Sequence, residues 1–372
     1  MTIDGLSVSK VLRPDSIEEL SQSLSVEEGS IVPVGAATQT YFGNPLQQAD
    51  RAIDLTRLSR ITEYNPADLT VHVQAGVTLG ELQHALLEHN QYLPIDPWNG
   101  PAATIGGITA ADAQGPLRAA GTIRDWIIGM KVVHANGRVS KTGGRVVKNV
   151  TGYDLARLYT GSIGTLAIIV EISLKLRAKF AKTATAVSLA RDVDAAAGLI
   201  AAIRKSPLQP ISLEWVGREN EVWARFGEHP KAVEWQLKHL PPAEWKVLEG
   251  HEEKAAWEKL RERYGQLGPI VLRVIGLPGV TREIIVEYEP AAWIAHASNG
   301  IVLMSVSDPH MVQRIRTKFR AVIEKAPLEV RRRVPTFGLT DTEYELMSKM
   351  KQTFDPEGRL NPGRHVDGER HE

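Results

Sequence analysis

Four stretches of this sequence are nearly bare of side chains, and bare backbone has its own chemistry. They are Gly35-Ala-Ala-Thr-Gln39, Thr104-Ile-Gly-Gly107, Gly115 through Gly121, and Gly161-Ser-Ile-Gly-Thr165. Consecutive backbone N–H groups form a cradle for an anion such as a pyrophosphate. Glycine lets a ligand approach the chain closely. The first loop has no lysine of the Walker kind and lacks the G-x-G-x-x-G dinucleotide spacing, so any phosphate grip there rests on amides. Taken singly, each loop reads equally well as a tight turn. Arg331-Arg-Arg333 is a cation cluster before the last helix. It could hold a carboxylate, or form a solvated or partner-docking face. Lys148 and Tyr153 flank the last glycine loop, where they could touch a ligand or pack under the loop. Trp98 could stack on a ring or fill core. His296 and His310 have no His or carboxylate at metal-ligand spacing, and no metal site is expected.

Composition narrows the classes. The chain has 372 residues, with 44 basic and 44 acidic side chains and no cysteine. Charge balance gives no electrostatic case for nucleic acid or an anionic membrane. Without cysteine there is no disulfide, iron–sulfur ligation, thiolate zinc site or cysteinyl cofactor link. Neither a signal peptide nor a membrane-length apolar run is evident, so a cytoplasmic protein is expected, with any peripheral place at the inner membrane coming through partners.

The elements that must position these loops follow from spacing. Ser16/Glu19, Thr78/Glu81 and Thr340/Glu343 are capping-box patterns that open helices. Ile31-Val-Pro-Val34, Ala52–Leu55 and Leu69–Ala75 read as strands, and Asn136-Gly137 as a hairpin turn. Leu166, Ile168, Val170, Ile172, Leu174 and Leu176 alternate as one face of a buried strand. Leu93 to Ile108 is a long, proline- and glycine-rich ordered loop, usually a functional feature. Beyond about residue 178 the glycine loops stop. A β-α-β-β-α-β order from Ala184 to Leu248 implies an antiparallel sheet with helices. A helix is expected over 311–325, with Val312, Ile315, Phe319, Val322 and Ile323 on its apolar face. The tryptophans at 215, 223, 235, 245, 257 and 293 form either a core or an interface, and the tail from Val366 is expected to fray.

The four loops in this order, each beside a strand, together with Asp355-Pro-Glu-Gly-Arg-Leu-Asn-Pro-Gly363, resemble the vanillyl-alcohol oxidase family, whose FAD-binding domain is called PCMH-type. Within it, Lys148-Asn-Val-Thr-Gly-Tyr-Asp154 and a short cap look most like the FAD-binding subunit of bacterial glycolate oxidase. The resemblance implies an α+β chain: a PCMH-type domain of two α+β subdomains over 1–178, a smaller antiparallel-sheet cap over 179–333, and a C-terminal segment, 334–372, returning to the first domain. It covers 12–177 and 340–364 well and the middle only as a generic cap.

It also implies roles. Pro33, Val34, Gly35, Ala36, Ala37, Thr38, Gln39 and Gly43 would hold the FAD pyrophosphate. Pro97, Thr104, Ile105, Gly106, Gly107, Gly115, Gly121, Thr122, Gly161, Ser162, Gly164 and Thr165 would pack along the ribityl chain, phosphates and adenosine. Ile168 and Val170 would face the adenine, and Asn361 the isoalloxazine. Thr38 stands where histidyl-linked relatives carry His, so FAD is expected to be non-covalent. The Gly-Asp-Gly-Asn-x-His metal and substrate motif of relatives that oxidise D-2-hydroxy acids is absent. The implied protein is a subunit taking glycolate or a similar 2-hydroxy acid, with a second flavoprotein subunit and an iron–sulfur subunit as partners. A stand-alone oxidoreductase and a flavin-free scaffold remain the alternatives. No side chain is identified as the catalytic base.

Overall fold

The computed structural model describes residues 1–144, 154–217 and 219–366. Lys148, Tyr153 and the tail beyond Val366 lie outside the described residues. The chain divides into two compact units: Met1–Gln114 with Gly121–Lys179 and Leu328–Glu372, and Gly115–Ala120 with Phe180–Pro327.

The first unit begins with a three-stranded parallel sheet in the order Lys10–Leu12, Arg51–Asp54, Ile31–Val34. Helix Ile17–Val26 lies between the outer two in sequence and buries Ile17, Leu20 and Leu24. The Ser16 side chain caps it by accepting from Glu19 N at 3.0 Å. Pro33, which has no N–H to give, sits on an edge strand, where proline is tolerated. A second sheet has five antiparallel strands, ordered Val139–Gly143, Ile127–Val133, Ile168–Lys175, Thr70–Gln74, Ile61–Asn65. Gly137, at φ +82°, makes the turn between the first two. The strand Ile61–Asn65 had no sequence expectation, being mostly polar and half exposed.

Strand Ile168–Lys175 departs from simple alternation. Its pairing with Ile127–Val133 shifts register between Ile169 and Glu171. A bulge of this kind turns the side chains after it to the other face. Ile168 and Val170 therefore pack with Ile17, Leu20 and Leu24. Ile172, Leu174 and Leu176 pack with Leu82, Ile105 and Tyr159. The expected single apolar face is split between two cores.

The second unit carries an eight-stranded, wholly antiparallel sheet. Its order is Lys246–Glu249, Lys182–Leu189, Glu221–Glu228, Ser212–Val216, Trp293–His296, Ile301–Ser305, Val271–Ile275, Arg320–Lys325. The helix expected over 311–325 is corrected: a helix covers Pro309–Arg316, and Arg320–Lys325 is a strand. The β-branched pair Val322–Ile323 suits a strand, and pairing with Val271–Ile275 buries it. Trp215, Trp223 and Trp293 are core, while Trp235 is 44% exposed. The Pro116–Ala120 turn packs on strand Ser212–Val216, which is why Gly115–Ala120 belongs to this unit.

Of the Arg331-Arg-Arg333 cluster, Arg331 ends a short helix, Leu328–Arg331, and is buried, while Arg332 and Arg333 are exposed.

Candidate functional site

The first unit contains a cleft of about 690 Å³, open to solvent. The first loop forms one wall, from Pro33 through Gln39 and on to Thr40 and Phe42. Asn99, Thr104, Gly107, Ala110 and Ala111 form another, and Ile163, Gly164, Asn361 and Arg364 a third. A smaller adjoining pocket adds Gly106, Ile168 and Ile169.

The loops lean on one another. A side chain at Gly35 would collide with the Thr104 hydroxyl. That hydroxyl caps helix Ile105–Ala111 by accepting from Gly107 N at 3.2 Å. Gly164 lies at φ +64°, and a Cβ there would come within 3.1 Å of Asn361 Nδ2 and 3.5 Å of Pro33 Cγ. Its neighbour Ile163 holds φ +54°, which a β-branched residue rarely adopts, fixed in part by its N–H bond to Ala110 O at 2.8 Å.

The C-terminal segment is anchored beside these loops. Ile31 N donates to Arg359 O at 2.7 Å, and Asn361 N to Ile31 O at 2.8 Å, extending the parallel sheet by one bridge. Buried Lys351 donates to Thr165 O at 3.1 Å, Leu360 O at 2.8 Å and Asp355 Oδ2 at 2.6 Å. Asp355 in turn accepts from Leu360 N and Arg359 N. Asn361 reaches the third loop through Nδ2, which donates to Ile163 O at 2.7 Å.

Thirteen of the residues expected from sequence come together at the cleft or its adjoining pocket: Pro33, Val34, Gly35, Ala36, Ala37, Thr38, Gln39, Thr104, Gly106, Gly107, Gly164, Ile168 and Asn361. Gly43, Pro97, Ile105, Gly115, Gly121, Thr122, Gly161, Ser162, Thr165 and Val170 do not line either one. Ile105 and Val170 are core residues. The Ser162 and Thr165 hydroxyls are spent inside their own turn, on Tyr159 O and Ser162 O. Thr122 is committed to Asp125 at the start of helix Ile123–Trp126. Gly115 belongs to the second unit.

Sequence reasoning missed Asn99, the alanines one turn along from Gly106-Gly107, and an ion cluster. Asp4 Oδ1 accepts from Arg331 Nη2 at 2.6 Å, and its Oδ2 from Arg364 Nη1 at 2.7 Å. Burial alone would raise the Asp4 carboxyl. The Arg331 hydrogen bond and the charges of Arg364 and Arg331 outweigh it and hold the group below its ordinary 3.8. Arg364 directly follows Asn361-Pro-Gly363, a signal that the residue next to that motif was worth placing.

The lining fits an anionic, hydroxyl-rich cofactor. The backbone N–H groups of Gly35, Ala36, Ala37, Thr38 and Gln39 meet no acceptor among the described residues. Exposed or half-buried in the loop, these donors are open to water or to an anionic ligand. Gln39 Oε1, Asn99 Oδ1 and Asn361 Oδ1 are buried acceptors without a donor. Among the described residues, no carboxylate lines the cleft. His296, a metal candidate by type, is buried against Glu214 in the second unit, Nδ1 to Oε2 2.8 Å. Among the described residues, no three His, Asp or Glu side chains group as metal ligands.

Comparison with known proteins agrees with this lining. An "FAD binding domain" family matches residues 8–143, and "FAD linked oxidases, C-terminal domain" matches residues 337–365. Glycolate oxidase subunit GlcD of Bacillus subtilis is 34% identical over 58% of this chain, which spans about half, 48%, of that relative. Glycolate oxidase subunit GlcE of Escherichia coli is 28% identical over 94% of this chain and 95% of its own length. A solved alkyldihydroxyacetonephosphate synthase shares the fold, with a TM-score of 0.66 at 15% identity, over 95% of this chain and 76% of that one. The chain thus resembles the PCMH-type FAD-binding domain over residues 8–143 and the C-terminal domain of FAD-linked oxidases over 337–365.

Proposed function

We propose that this chain is the FAD-binding subunit of a glycolate oxidase-like complex that oxidises a small 2-hydroxy acid, glycolate being the favoured one. The observation that carries the reading is the end-to-end likeness to GlcE, 94% of one chain against 95% of the other. Relatives named D-lactate dehydrogenase and D-2-hydroxyglutarate dehydrogenase place the same chemistry class around it. When bound, FAD accepts the two electrons that leave the substrate carbinol as it becomes a carbonyl. The chain's part is to hold that cofactor: amides of 35–39 toward the pyrophosphate, Gln39, Asn99 and Asn361 toward hydroxyl or ring donors, and Gly107 and Gly164 at the points of closest backbone approach. The FAD is held non-covalently, since Thr38 and a cysteine-free chain offer no link. Electrons then leave for a partner subunit with iron–sulfur centres, which this chain cannot ligate, and a second flavoprotein subunit completes the hydroxy-acid site. No helix among the described residues is long and apolar enough to cross a membrane.

The test is anaerobic addition of glycolate to the purified, FAD-loaded chain, with and without candidate partner subunits. Bleaching only in the complex is expected; absence of bleaching in both overturns the reading. A second reading, a stand-alone 2-hydroxy-acid oxidoreductase, is favoured by the D-lactate dehydrogenase of Archaeoglobus fulgidus, 25% identical over 96% of this chain and 91% of its own length. Rapid bleaching of the isolated chain by D-lactate or glycolate would select it.

A further inference from the structure

Arg364 is the one charged residue among the described residues that line the cleft. It is 3% exposed. Its hydrogen bonds to described residues both leave from Nη1, to Asp4 Oδ2 at 2.7 Å and Asn44 O at 3.2 Å. Arg331 stands behind it, Nη1 donating to Gly43 O at 3.1 Å and Nη2 to Asp4 Oδ1 at 2.6 Å. One carboxylate is thus shared by two guanidinium groups, all three side chains about 4% exposed. Of these three groups two are cationic and one is anionic. A buried excess charge is costly unless an opposite charge completes it. Burial, with Arg331 beside it, pulls the Arg364 guanidinium down to about 10 against the support of Asp4, so it still carries its charge at neutral pH.

A separate feature of the same cleft asks for the same partner. Among the described residues, the five amides of Gly35 to Gln39 meet no acceptor and no lining residue is acidic. Resting on the reading of this cleft as the FAD site, we propose that Arg364, fixed by Asp4 and backed by Arg331, supplies the positive charge that offsets the FAD pyrophosphate. The phosphate grip is then not made by amides alone. The charge arrives on the C-terminal segment, so the cofactor ties that segment to the first loop. A planar guanidinium suits two phosphate oxygens at once, which an ammonium does not.

The experiment titrates apoprotein with FAD by flavin fluorescence, for wild type, Arg364→Gln and Arg364→Lys. Loss of a charged hydrogen-bond donor predicts a Kd about ten- to a hundred-fold higher for Arg364→Gln, with partial recovery in Arg364→Lys. Added KCl should weaken wild type more steeply than Arg364→Gln. A folded Arg364→Gln with the wild-type Kd overturns the proposal and leaves the FAD site standing. A wild-type apoprotein that takes up no FAD overturns the site reading itself. Should Arg364→Gln not fold, wild-type apoprotein is melted with inorganic pyrophosphate at constant ionic strength. A raised Tm is expected, and an unchanged one overturns the proposal.

Discussion

Gly106 and Gly107 are neighbours on helix Ile105–Ala111, yet a side chain at each meets different surroundings. An ideal Cβ on Gly106 falls 2.6 Å from Ala75 Cβ and 2.9 Å from Ala75 O. Carbon atoms pack at about 3.5–4.0 Å, so helix and strand must part by about 1 Å. The hydrogen bond from Gly106 N to Ala75 O, 2.8 Å, holds that same seam. Overpacking of this kind costs about 1–3 kcal/mol. Gly107 is exposed, and the single atom near its Cβ is Thr104 Oγ1 at 3.1 Å. Alanine there gains about 0.8–1 kcal/mol of helix propensity. Part of that gain is lost if the Thr104 cap, worth about 1 kcal/mol, is displaced. The net is near zero for the fold, but the new methyl points into the cleft.

The pair therefore separates folding from binding. Gly106→Ala should lower the apoprotein Tm by several degrees, at about 2–4 °C per kcal/mol for a unit of this size. Gly107→Val should leave Tm within about 3 °C and raise the Kd for FAD at least ten-fold, about 1.4 kcal/mol. Differential scanning fluorimetry of apoprotein and fluorescence titration with FAD read the two quantities independently. FAD affinity unchanged in Gly107→Val would refute the assignment of this wall to the cofactor. An unchanged Tm in Gly106→Ala would refute the packing argument. The missing side chain of Gly106 serves the seam with Ala75 as well as the adjoining pocket.

Two further outcomes follow from buried charge. Lys351→Met leaves the Asp355 carboxylate, 1% exposed, without its ammonium partner; a loss of about 3–5 kcal/mol is expected in urea unfolding, and a midpoint within error of wild type would contradict it. Burial, with the Arg138 charge adding to it, holds the His134 imidazole below its ordinary 6.5. The unfolded chain then takes the proton first, so stability is full above pH 6.5 and declines as pH falls from 6.5 toward the lower folded value. His134→Phe should flatten that decline in a Tm series from pH 8 to 5, and an identical slope would remove His134 as its source.

Local chemistry was legible because it is written in neighbouring residues. The Thr78/Glu81 and Thr340/Glu343 boxes form as read, each with the Glu carboxylate returned to the cap N–H at 2.9 Å. Glycine and hydroxyl runs mark the bare backbone at 35 and 161, whereas Thr104–Gly107, read as loop, is the cap and first turn of helix Ile105–Ala111. Distance in sequence hid the rest. Arg331 and Asp4 are 327 positions apart and Arg364 and Asp4 are 360 apart, so no window shows that they share a carboxylate. The helix expected through Lys325 failed for a related reason. Val322 and Ile323 fit an apolar stripe of period 3.6 as well as a buried strand, and the open edge at Val271–Ile275, far upstream, decided between them.

The two chain ends meet at the cleft, and this changes how lesions there should be read. Residues 359–361 pair with Ile31 at the start of the strand that launches the first loop. Lys351 ties the last helix to Thr165 O, and Asn361 ties the returning segment to Ile163 O. Ile163 and Gly164 then border the cleft on one side while Arg364 does so from the same returning segment. A wall made of glycine has no side chains with which to hold its own shape, and the shape is imposed from behind by Lys351, Asp355 and Asn361. Mutations in the helix Asp341–Phe354 should therefore surface as flavin loss coupled to lost stability. Mutations at Gly107, which borders the cleft and is exposed, should change affinity with the fold intact.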